Sequence, residues 1–229
     1  QYVCPDSGLC GEGLLAEEAS AAGSQGGTMK ESRYFAVVYM FVLTAICSTL
    51  LIGLARLTEA KVQSNEQIAF ERAALAVFGG IQVRSDTQVH AVFTRDFVAP
   101  ATPGQAYEYR PGGQLAGYAL PFEGQGFWAL IRGVIGIGTD SRTITGIWFY
   151  EQAETPGLGA RIVEPFFYEQ FAGKQFADGP RPIRIRPPAE ASDKDIQAIT
   201  GATQTCVRLE KLLNDAVTRW RQKNEAEQP

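Results

Sequence analysis

The longest uninterrupted apolar segment of the chain runs from residue 34 to residue 55 and contains no charged side chain. As a helix, these 22 residues would be about 33 Å long, which is enough to cross the hydrocarbon core of a bilayer. The segment ends without the small-residue pattern of a signal-peptide cleavage site. We therefore expect an uncleaved single-span anchor over residues 29–58. Lys30 and Arg33 precede the span and Arg56 and Lys61 follow it, so the flanking charges leave its orientation open.

The residues before this anchor have no apolar periodicity. Residues 1–28 are rich in Gly, Ala, Ser and Glu, a composition that cannot bury a core and is typical of a flexible extension. Met29 resembles an ordinary start of a membrane-anchored protein, so we expect the extension to be dispensable. Cys4 and Cys10 lie in it without a second pair that would complete a metal site.

The pattern after the anchor predicts one domain over residues 59–229. A helix-compatible segment over residues 59–78 ends at Gly79-Gly80, a plausible C-terminal cap. A second short segment, Glu164–Phe171, is also helical in pattern. The β-branched and aromatic runs predict strands at Val89–Phe93, Leu115–Leu120, Phe127–Ile137 and Thr143–Tyr150, and a half-buried strand around Ile183 and Ile185. The turn residues Asp140-Ser141 join two of these strands into a β-hairpin spanning Phe127–Tyr150.

The clearest helical pattern lies near the C-terminus. Six apolar residues recur at the spacing of one helix face: Leu209, Leu212, Leu213, Ala216, Val217 and Trp220. We expect this face to pack in the core. Strands joined by hairpins and followed by helices favour an α+β fold, with one transmembrane helix before a mostly antiparallel sheet that helices flank.

Composition excludes several kinds of chemistry. The formal net charge of -4 disfavours nucleic-acid binding, which requires a basic surface. His90 is the single histidine, so His-rich metal sites and Ser-His or Cys-His dyads are not expected. No glycine-rich phosphate loop of the dinucleotide or Walker type opens a helix. We predict neither catalytic side chains nor a metal, so a cofactor would have to carry any chemistry.

Two loops have the residues that such a cofactor would need. The sequence Thr200-Gly201-Ala202-Thr203-Gln204-Thr205 stands directly before the last helix, whose free N–H groups attract phosphate. The sequence Glu154-Thr155-Pro156-Gly157-Leu158-Gly159 follows a strand, and Gly159 lets the backbone approach a planar group. Taken alone, the first loop is better explained as a Thr N-cap that binds nothing, and the second as an ordinary turn.

In this order behind one anchor, however, the loops resemble those of a known family. The segments GYALPFEGQGFWALIRG, TITGIWFYEQ, ETPGLGARI, FAGK and AITGATQT are similar to the flavin-carrying, membrane-anchored subunits of two related respiratory complexes. These are the C-type subunit of the sodium-translocating NADH:quinone reductase (Nqr) and the G-type subunit of the Rnf complex. The resemblance covers most of residues 34–220 and does not extend to residues 1–28.

The resemblance implies a covalent cofactor. In the family, the phosphate of FMN is esterified to the last Thr of a Ser/Thr-Gly-Ala-Thr motif, which is Thr203 in this chain, and a Mg-dependent flavin transferase makes the bond from FAD. The implied function is electron relay within a membrane ion-translocating oxidoreductase, with little activity of the subunit alone. The implied location is the inner (cytoplasmic) membrane, with the flavin domain on the extracytoplasmic side. The implied cofactor-binding residues are Thr203, Thr200, Gly201, Ala202, Thr205, Glu154, Thr155, Gly157, Leu158, Gly159 and Lys174.

One residue departs from the family pattern. Members usually carry Asp three residues before the Ser/Thr of the motif, where this chain has Gln197. Two alternatives therefore remain: a related FMN-binding domain serving another membrane reductase, and a cofactor-free anchored binding or scaffold module.

Four residues near the two loops have simple structural explanations. We expect Trp128, Trp148 and Phe149 to pack in the core, and Cys206 to be a small residue of the first helical turn.

Overall fold

The computed structural model describes residues 28–79, 85–102 and 104–227, so the predicted extension, with Cys4 and Cys10, lies outside the described residues except for residue 28. The chain divides into two units, residues 1–60 and residues 61–229. In the first unit every described residue belongs to helix α1, which runs over Thr28–Ala76. Its apolar segment is exposed, and it is long and apolar enough to cross a membrane.

The second unit contains the rest of α1 and a five-stranded antiparallel sheet. The strands are β1 (Phe97–Val98), β2 (Tyr107–Tyr109), β3 (Gly117–Gln125), β4 (Leu130–Gly138) and β5 (Ile144–Glu151), hydrogen-bonded in that order. Helix α2 (Asp86–Asp96) precedes the sheet, and α3 (Pro165–Tyr168) follows it between two 3-10 turns, Gly159–Val163 and Glu169–Phe171. Strands β6 (Ile185–Arg186) and β7 (Ile196–Gln197) form a small parallel pair before helix α4 (Thr203–Glu227). The predicted α+β class with a mostly antiparallel sheet is confirmed.

Helices cover both faces of the sheet. On one face, the predicted stripe of α4 packs with alternate residues of the long hairpins, among them Leu120 and Ile135. On the other face, Ala119 and Val134 pack with the end of α1 and with α2. Because successive side chains of a strand point to opposite faces, Ala119 and Leu120 belong to different clusters. The α4 face that the sequence predicted to be buried is buried at all six positions.

The strand predicted at Val89–Phe93 is wrong, because these residues lie inside helix α2. Ser85 caps this helix, its hydroxyl accepting a hydrogen bond from the N–H of Gln88 at 3.4 Å. Val89, Val92 and Phe93 all pack in the same cluster, and their spacing is that of a helix face. Five residues are too few to separate a buried helix face from a strand by composition alone.

Other element boundaries differ from the prediction for local reasons. Helix α1 ends at Ala76, and a turn follows in which Gly79 has a φ of 74°. Strand β3 extends to Gln125 through Pro121, which is tolerated because β2 pairs only with residues 117–119 and leaves this edge open. Phe127–Ala129 form a turn before β4 and are not part of the strand. Ile183 lies outside β6, since its backbone N–H and C=O pair with the Asn214 side chain.

Candidate functional site

The start of helix α4 presents unpaired backbone donors. Ala202 is its N-cap residue, because its carbonyl accepts the first helical hydrogen bond, from the N–H of Cys206 at 3.0 Å. Alanine has no side-chain oxygen with which to cap a helix. No group among the described residues accepts a hydrogen bond from the N–H of Thr203, Gln204 or Thr205. Three donors therefore remain free at the positive end of the helix dipole.

The threonines of this segment face different environments. Thr200 and Thr203 are exposed, whereas Thr205 is buried. Two residues along an α-helix rotate a side chain by about 200°, so the side chains of Thr203 and Thr205 point to opposite sides. Gly201 has a φ of 83°, a conformation that favours glycine, and it turns the chain into the helix. The hydroxyl of Thr203 is therefore accessible to a reactant from solvent.

The segment Glu154–Gly159 lies against this helix start. The backbone of this segment forms a turn in which the carbonyl of Thr155 accepts hydrogen bonds from the N–H groups of Leu158 and Ala160, each at 3.1 Å. A Cβ at Gly201 would lie 3.0 Å from Cδ2 of Leu158. Thr155, Gly157 and Leu158 are exposed, while Glu154 and Gly159 are buried. The structure thus brings together the two loops that the sequence singled out.

Glu154 connects three separate segments through one buried carboxylate. Its Oε2 accepts a hydrogen bond from the Thr205 hydroxyl at 2.7 Å. Its Oε1 accepts from the backbone N–H groups of Trp128 at 2.9 Å and Ala129 at 3.3 Å. Burial opposes ionisation of this carboxyl, but these hydrogen bonds outweigh it and hold the pKa of Glu154 below its ordinary value. Glu154 is therefore an ionised group whose oxygens face protein donors.

A cavity opens beside the exposed Thr203. It has a volume of about 980 Å³ and lies between the face of α4 and the segment around β6. Thr200, Gly201 and Thr203 line it together with residues 185–190 and with Cys206, Val207 and Glu210 of α4. A volume of this size lies within the range of cofactor pockets. The exposed hydroxyl, the free N–H groups and the cavity together fit a phosphate-bearing flavin.

Lys174 is tied to a different part of the domain. Its ammonium donates a hydrogen bond to the backbone carbonyl of Asp193, and its own carbonyl accepts the N–H of Ile144 at the start of β5. Within the described part of the chain, no hydrogen bond or ion pair joins Lys174 to residues 154–159 or 200–205. The structure therefore does not bring Lys174 together with the other predicted site residues.

The aromatic residues near the motif only partly follow the prediction. Phe149 is buried in the core as predicted, but core packing is wrong for Trp148, which is 39% exposed with its ring centre 5.4 Å from that of Tyr168. Core packing is also wrong for Trp128, which is 67% exposed in the turn between β3 and β4. That turn is tight because the N–H of Gly126 donates to the carbonyl of Ala129, so the two aromatic residues that follow Gly126 cannot enter the sheet.

Sequence reasoning also missed exposed apolar residues near the motif. The guanidinium of Arg208 lies 5.8 Å from the centre of the Phe127 ring, and Val207, one helical turn after Thr203, is 59% exposed. The sequence Gly126-Phe127-Trp128, a glycine before two aromatics, could have signalled an aromatic turn. These residues surround the helix start with apolar surface that a planar ring could contact.

Two further residues have plain structural roles. Cys206 is buried, its sulfur accepts a hydrogen bond from the N–H of Ile199, and burial raises the pKa of its thiol, so it is not a reactive nucleophile. Gln197 is exposed in β7, where its N–H donates a hydrogen bond to the side-chain oxygen of Gln170 at 2.7 Å.

Among the described residues, no group of three or more His, Cys, Asp or Glu side chains could hold a metal ion.

Comparison with known proteins identifies the same segment. Residues 126–218 match the family model of the FMN-binding domain. The chain is 38% identical over 96 residues to the C-type subunit of the Na(+)-translocating NADH-quinone reductase of Neisseria meningitidis serogroup A, a match that covers 41% of this chain and 37% of that protein. It is 34% identical over 110 residues to the same subunit of Vibrio anguillarum, covering 46% and 43%. The chain thus spans about two fifths of the length of these curated relatives.

Solved structures show the same fold. The crystal structure of the C-type subunit of the Na(+)-translocating NADH-quinone reductase from Parabacteroides distasonis matches 71% of this chain and 92% of that chain, with a TM-score of 0.57 and 20% identity. The crystal structure of NqrC from Shewanella oneidensis matches 66% and 90%, with a TM-score of 0.53 and 19% identity. The predicted resemblance is confirmed for the Nqr type, and residues 126–218 have the sequence of an FMN-binding domain.

Proposed function

We propose that the protein is a membrane-anchored electron-carrier subunit of an ion-translocating oxidoreductase of the Nqr or Rnf type. It carries FMN through a phosphoester to Thr203. The observation that carries this proposal is the start of α4, where an exposed threonine hydroxyl adjoins three free N–H donors and an alanine N-cap. The matched FMN-binding domain and the NqrC relatives support it independently.

Attachment is a transfer of a phosphoryl group from FAD. The Oγ1 atom of Thr203 forms a bond to the flavin-side phosphorus, the bond between the two phosphates breaks, AMP leaves and the hydroxyl proton passes to a base. A threonine hydroxyl is a weak nucleophile near neutral pH, so this step requires the Mg-dependent flavin transferase. Thr203 contributes accessibility, because its side chain is exposed while that of Thr205 is not.

The residues around Thr203 then bind the phosphate. The N–H groups of Thr203, Gln204 and Thr205 and the exposed hydroxyl of Thr200 donate hydrogen bonds to it, and the helix dipole stabilises its charge. The Thr205 hydroxyl already donates its hydrogen bond to Glu154, so only the backbone N–H of Thr205 is available to the phosphate. The phosphate would thus accept hydrogen bonds from the first-turn N–H groups, which the alanine side chain at the N-cap position cannot do.

The loop over residues 154–159 and the cavity beside α4 hold the rest of the cofactor. Gly157, which is exposed with open space beside it, would let the backbone approach the ring, and the exposed Leu158 beside Gly201 would offer it apolar surface. Gly159 is buried against Thr205 and Glu154, so it would shape the loop without touching the ring. Bound FMN accepts and donates electrons singly or in pairs, which is the chemistry that an electron relay requires. The chain itself positions the ring and excludes water from one side of it.

The remaining assignments follow from the resemblance. Helix α1 is the anchor in the inner membrane, and the domain after it lies on the extracytoplasmic side. Its partners are other subunits of a multi-subunit redox complex and, during maturation, the flavin transferase. Subunits that co-purify with the native protein distinguish an Nqr complex from an Rnf complex or another membrane reductase.

The decisive experiment maps the flavin on the full-length protein co-expressed with a flavin transferase. We expect a fluorescent band that survives denaturing electrophoresis, a mass increase of one FMN less one water, and a modified peptide at Thr203. The variant Thr203→Ala abolishes the band, while Thr203→Ser retains it because serine keeps the hydroxyl.

Thr102→Ala is the matched control and should retain the band, since it removes an exposed threonine hydroxyl outside both loops and leaves the attachment residue in place. A wild-type protein that stays unmodified beside an active transferase would contradict the proposal and favour the cofactor-free module that Gln197 suggests. Attachment at Thr200 instead would contradict the assignment of Thr203.

A further inference from the structure

Glu154 is unusual among the carboxylates of the domain because it is buried and has no cationic partner among the described residues. Buried carboxylates are costly unless hydrogen bonds satisfy them. Its three donors come from two distant segments, the turn after β3 and the first turn of α4. The Glu154 carboxylate therefore links the loop over residues 154–159 by hydrogen bonds to the turn after β3 and to the first turn of α4.

The backbone around the carboxylate is shaped to fit it. A Cβ at Gly126 would lie 2.5 Å from Oε1 of Glu154. A Cβ at Gly159 would lie 2.5 Å from the Thr205 hydroxyl oxygen and 2.9 Å from Oε2 of Glu154. Real Cβ atoms do not approach other atoms so closely, so only glycine fits at either place without rearrangement. The two glycines allow both backbones to close on the hydrogen-bonded pair.

The pair acts on the segment that carries the attachment residue. Thr205 points inward to Glu154, whereas Thr203 points outward from the same turn. Because Ala202 supplies no cap, the first turn of α4 is fixed by two side-chain hydrogen bonds: the 2.7 Å bond from Thr205 to the Glu154 carboxylate and the weaker bond from the N–H of Ile199 to the Cys206 sulfur. Fixing Thr205 also fixes the direction of the Thr203 side chain.

We propose that Glu154 is a positioning residue that, through Thr205, holds the FMN-bearing turn of α4 against the loop over residues 154–159. This rests on the proposed function, because it concerns the cofactor on Thr203. On this view Glu154 does not touch the flavin, although it lies in the predicted binding loop. Its carboxylate determines how rigidly the ring is presented to an electron donor or acceptor.

The test compares Thr205→Val, which keeps the size of the side chain and removes its hydroxyl, with Thr205→Ser, which restores the hydroxyl. Glu154→Gln is the complementary variant on the acceptor side. All are measured as full-length, detergent-solubilised protein co-expressed with the flavin transferase. Hydrogen exchange followed by mass spectrometry reports on residues 127–129 and 203–209 without requiring flavin. Polarised fluorescence of the attached FMN reports on the mobility of the ring.

We expect exchange in the two segments to rise about tenfold in Thr205→Val and Glu154→Gln, with strands β3 and β4 unchanged. The polarisation of FMN fluorescence falls in both variants and returns in Thr205→Ser. A merely structural role would raise exchange throughout the domain and leave the polarisation of folded, flavinylated protein unchanged.

Two negative results have different meanings. If exchange rises locally in Thr205→Val but the flavin remains as immobile as in the wild type, Glu154 does not position the cofactor and the inference is overturned. If the wild type carries no flavin on Thr203, the proposed function itself is overturned and the inference falls with it. Should Thr205→Val not fold, Glu154→Gln alone decides between these results.

Discussion

Helices α2 and α4 begin in opposite ways. At α2, the Ser85 hydroxyl accepts the N–H of Gln88, and Asp86 places a negative charge in the first turn. At α4, Ala202 stands at the N-cap, and the first turn has no acidic residue. The first helix satisfies one of its free N–H donors with a capping side chain and places an acidic residue beside the others, whereas the second has neither a capping side chain nor an acidic residue. The proposed attachment of a phosphate at α4 thus concerns the helix start that lacks both a capping side chain and an acidic residue.

The difference extends to what stabilises each helix start. Helix α2 packs through Val89, Val92 and Phe93 against apolar neighbours. The first turn of α4 is held by a buried hydrogen bond from the Thr205 side chain to Glu154, which leaves the backbone N–H groups of the turn unpaired. This arrangement leaves the outward side of the turn free for a phosphate.

The largest effect is expected from Glu154→Ala. This change leaves the buried Thr205 hydroxyl without an acceptor, removes the acceptor of two backbone N–H groups and opens a small cavity, so we expect a loss of about 3 kcal/mol in the free energy of unfolding. Urea unfolding of the detergent-solubilised protein measures it. Glu169→Ala, at an exposed position in a 3-10 turn, is the control and should change stability by less than about 0.5 kcal/mol. Equal losses in the two variants would show that Glu154 does not hold the helix start.

An intermediate effect is expected in the pH dependence of stability. The folded-state pKa of Glu154 lies below the value of about 4.3 for an unfolded chain, so the folded state favours the ionised form. Its contribution to stability is complete above the unfolded pKa and is lost as the pH falls through the folded pKa. Glu154→Gln removes this contribution, so its stability should depend less steeply on pH below about 4.5 than that of the wild type. Unfolding curves between pH 3 and pH 7 measure the slope, and identical slopes would mean that folding does not lower the pKa of Glu154.

The sequence predicts the two loops because their chemistry is local. A glycine before a helix and a Pro-Gly turn are visible in a few residues, and the structure places both loops in contact through Leu158 and Gly201. The burial of Glu154 could not be predicted, because it depends on Trp128 and Ala129, which are about 25 residues away along the chain. The strand predicted over Val89–Phe93 is wrong for a different reason: four apolar residues in a run of five fit a helix face as well as a strand, and the Ser85 cap is the local signal that distinguishes them. The pattern of polar and apolar residues along the chain does not show which polar groups pair with each other across long stretches of sequence.

The smallest effect tests the comparison between the two helices most directly. Gln204→Glu gives α4 an acidic residue in its first turn, as Asp86 gives α2, at an exposed position of nearly the same size. We expect the unmodified protein to gain about 0.3–1 kcal/mol from the helix dipole and the extent of flavin attachment to fall, because the new charge repels the phosphate. Gln204→Lys is the matched control and should reverse both signs, and high salt should weaken both effects. If Gln204→Glu stabilises the helix without reducing attachment, the free N–H groups of α4 do not bind the phosphate, and the absence of a cap needs another explanation.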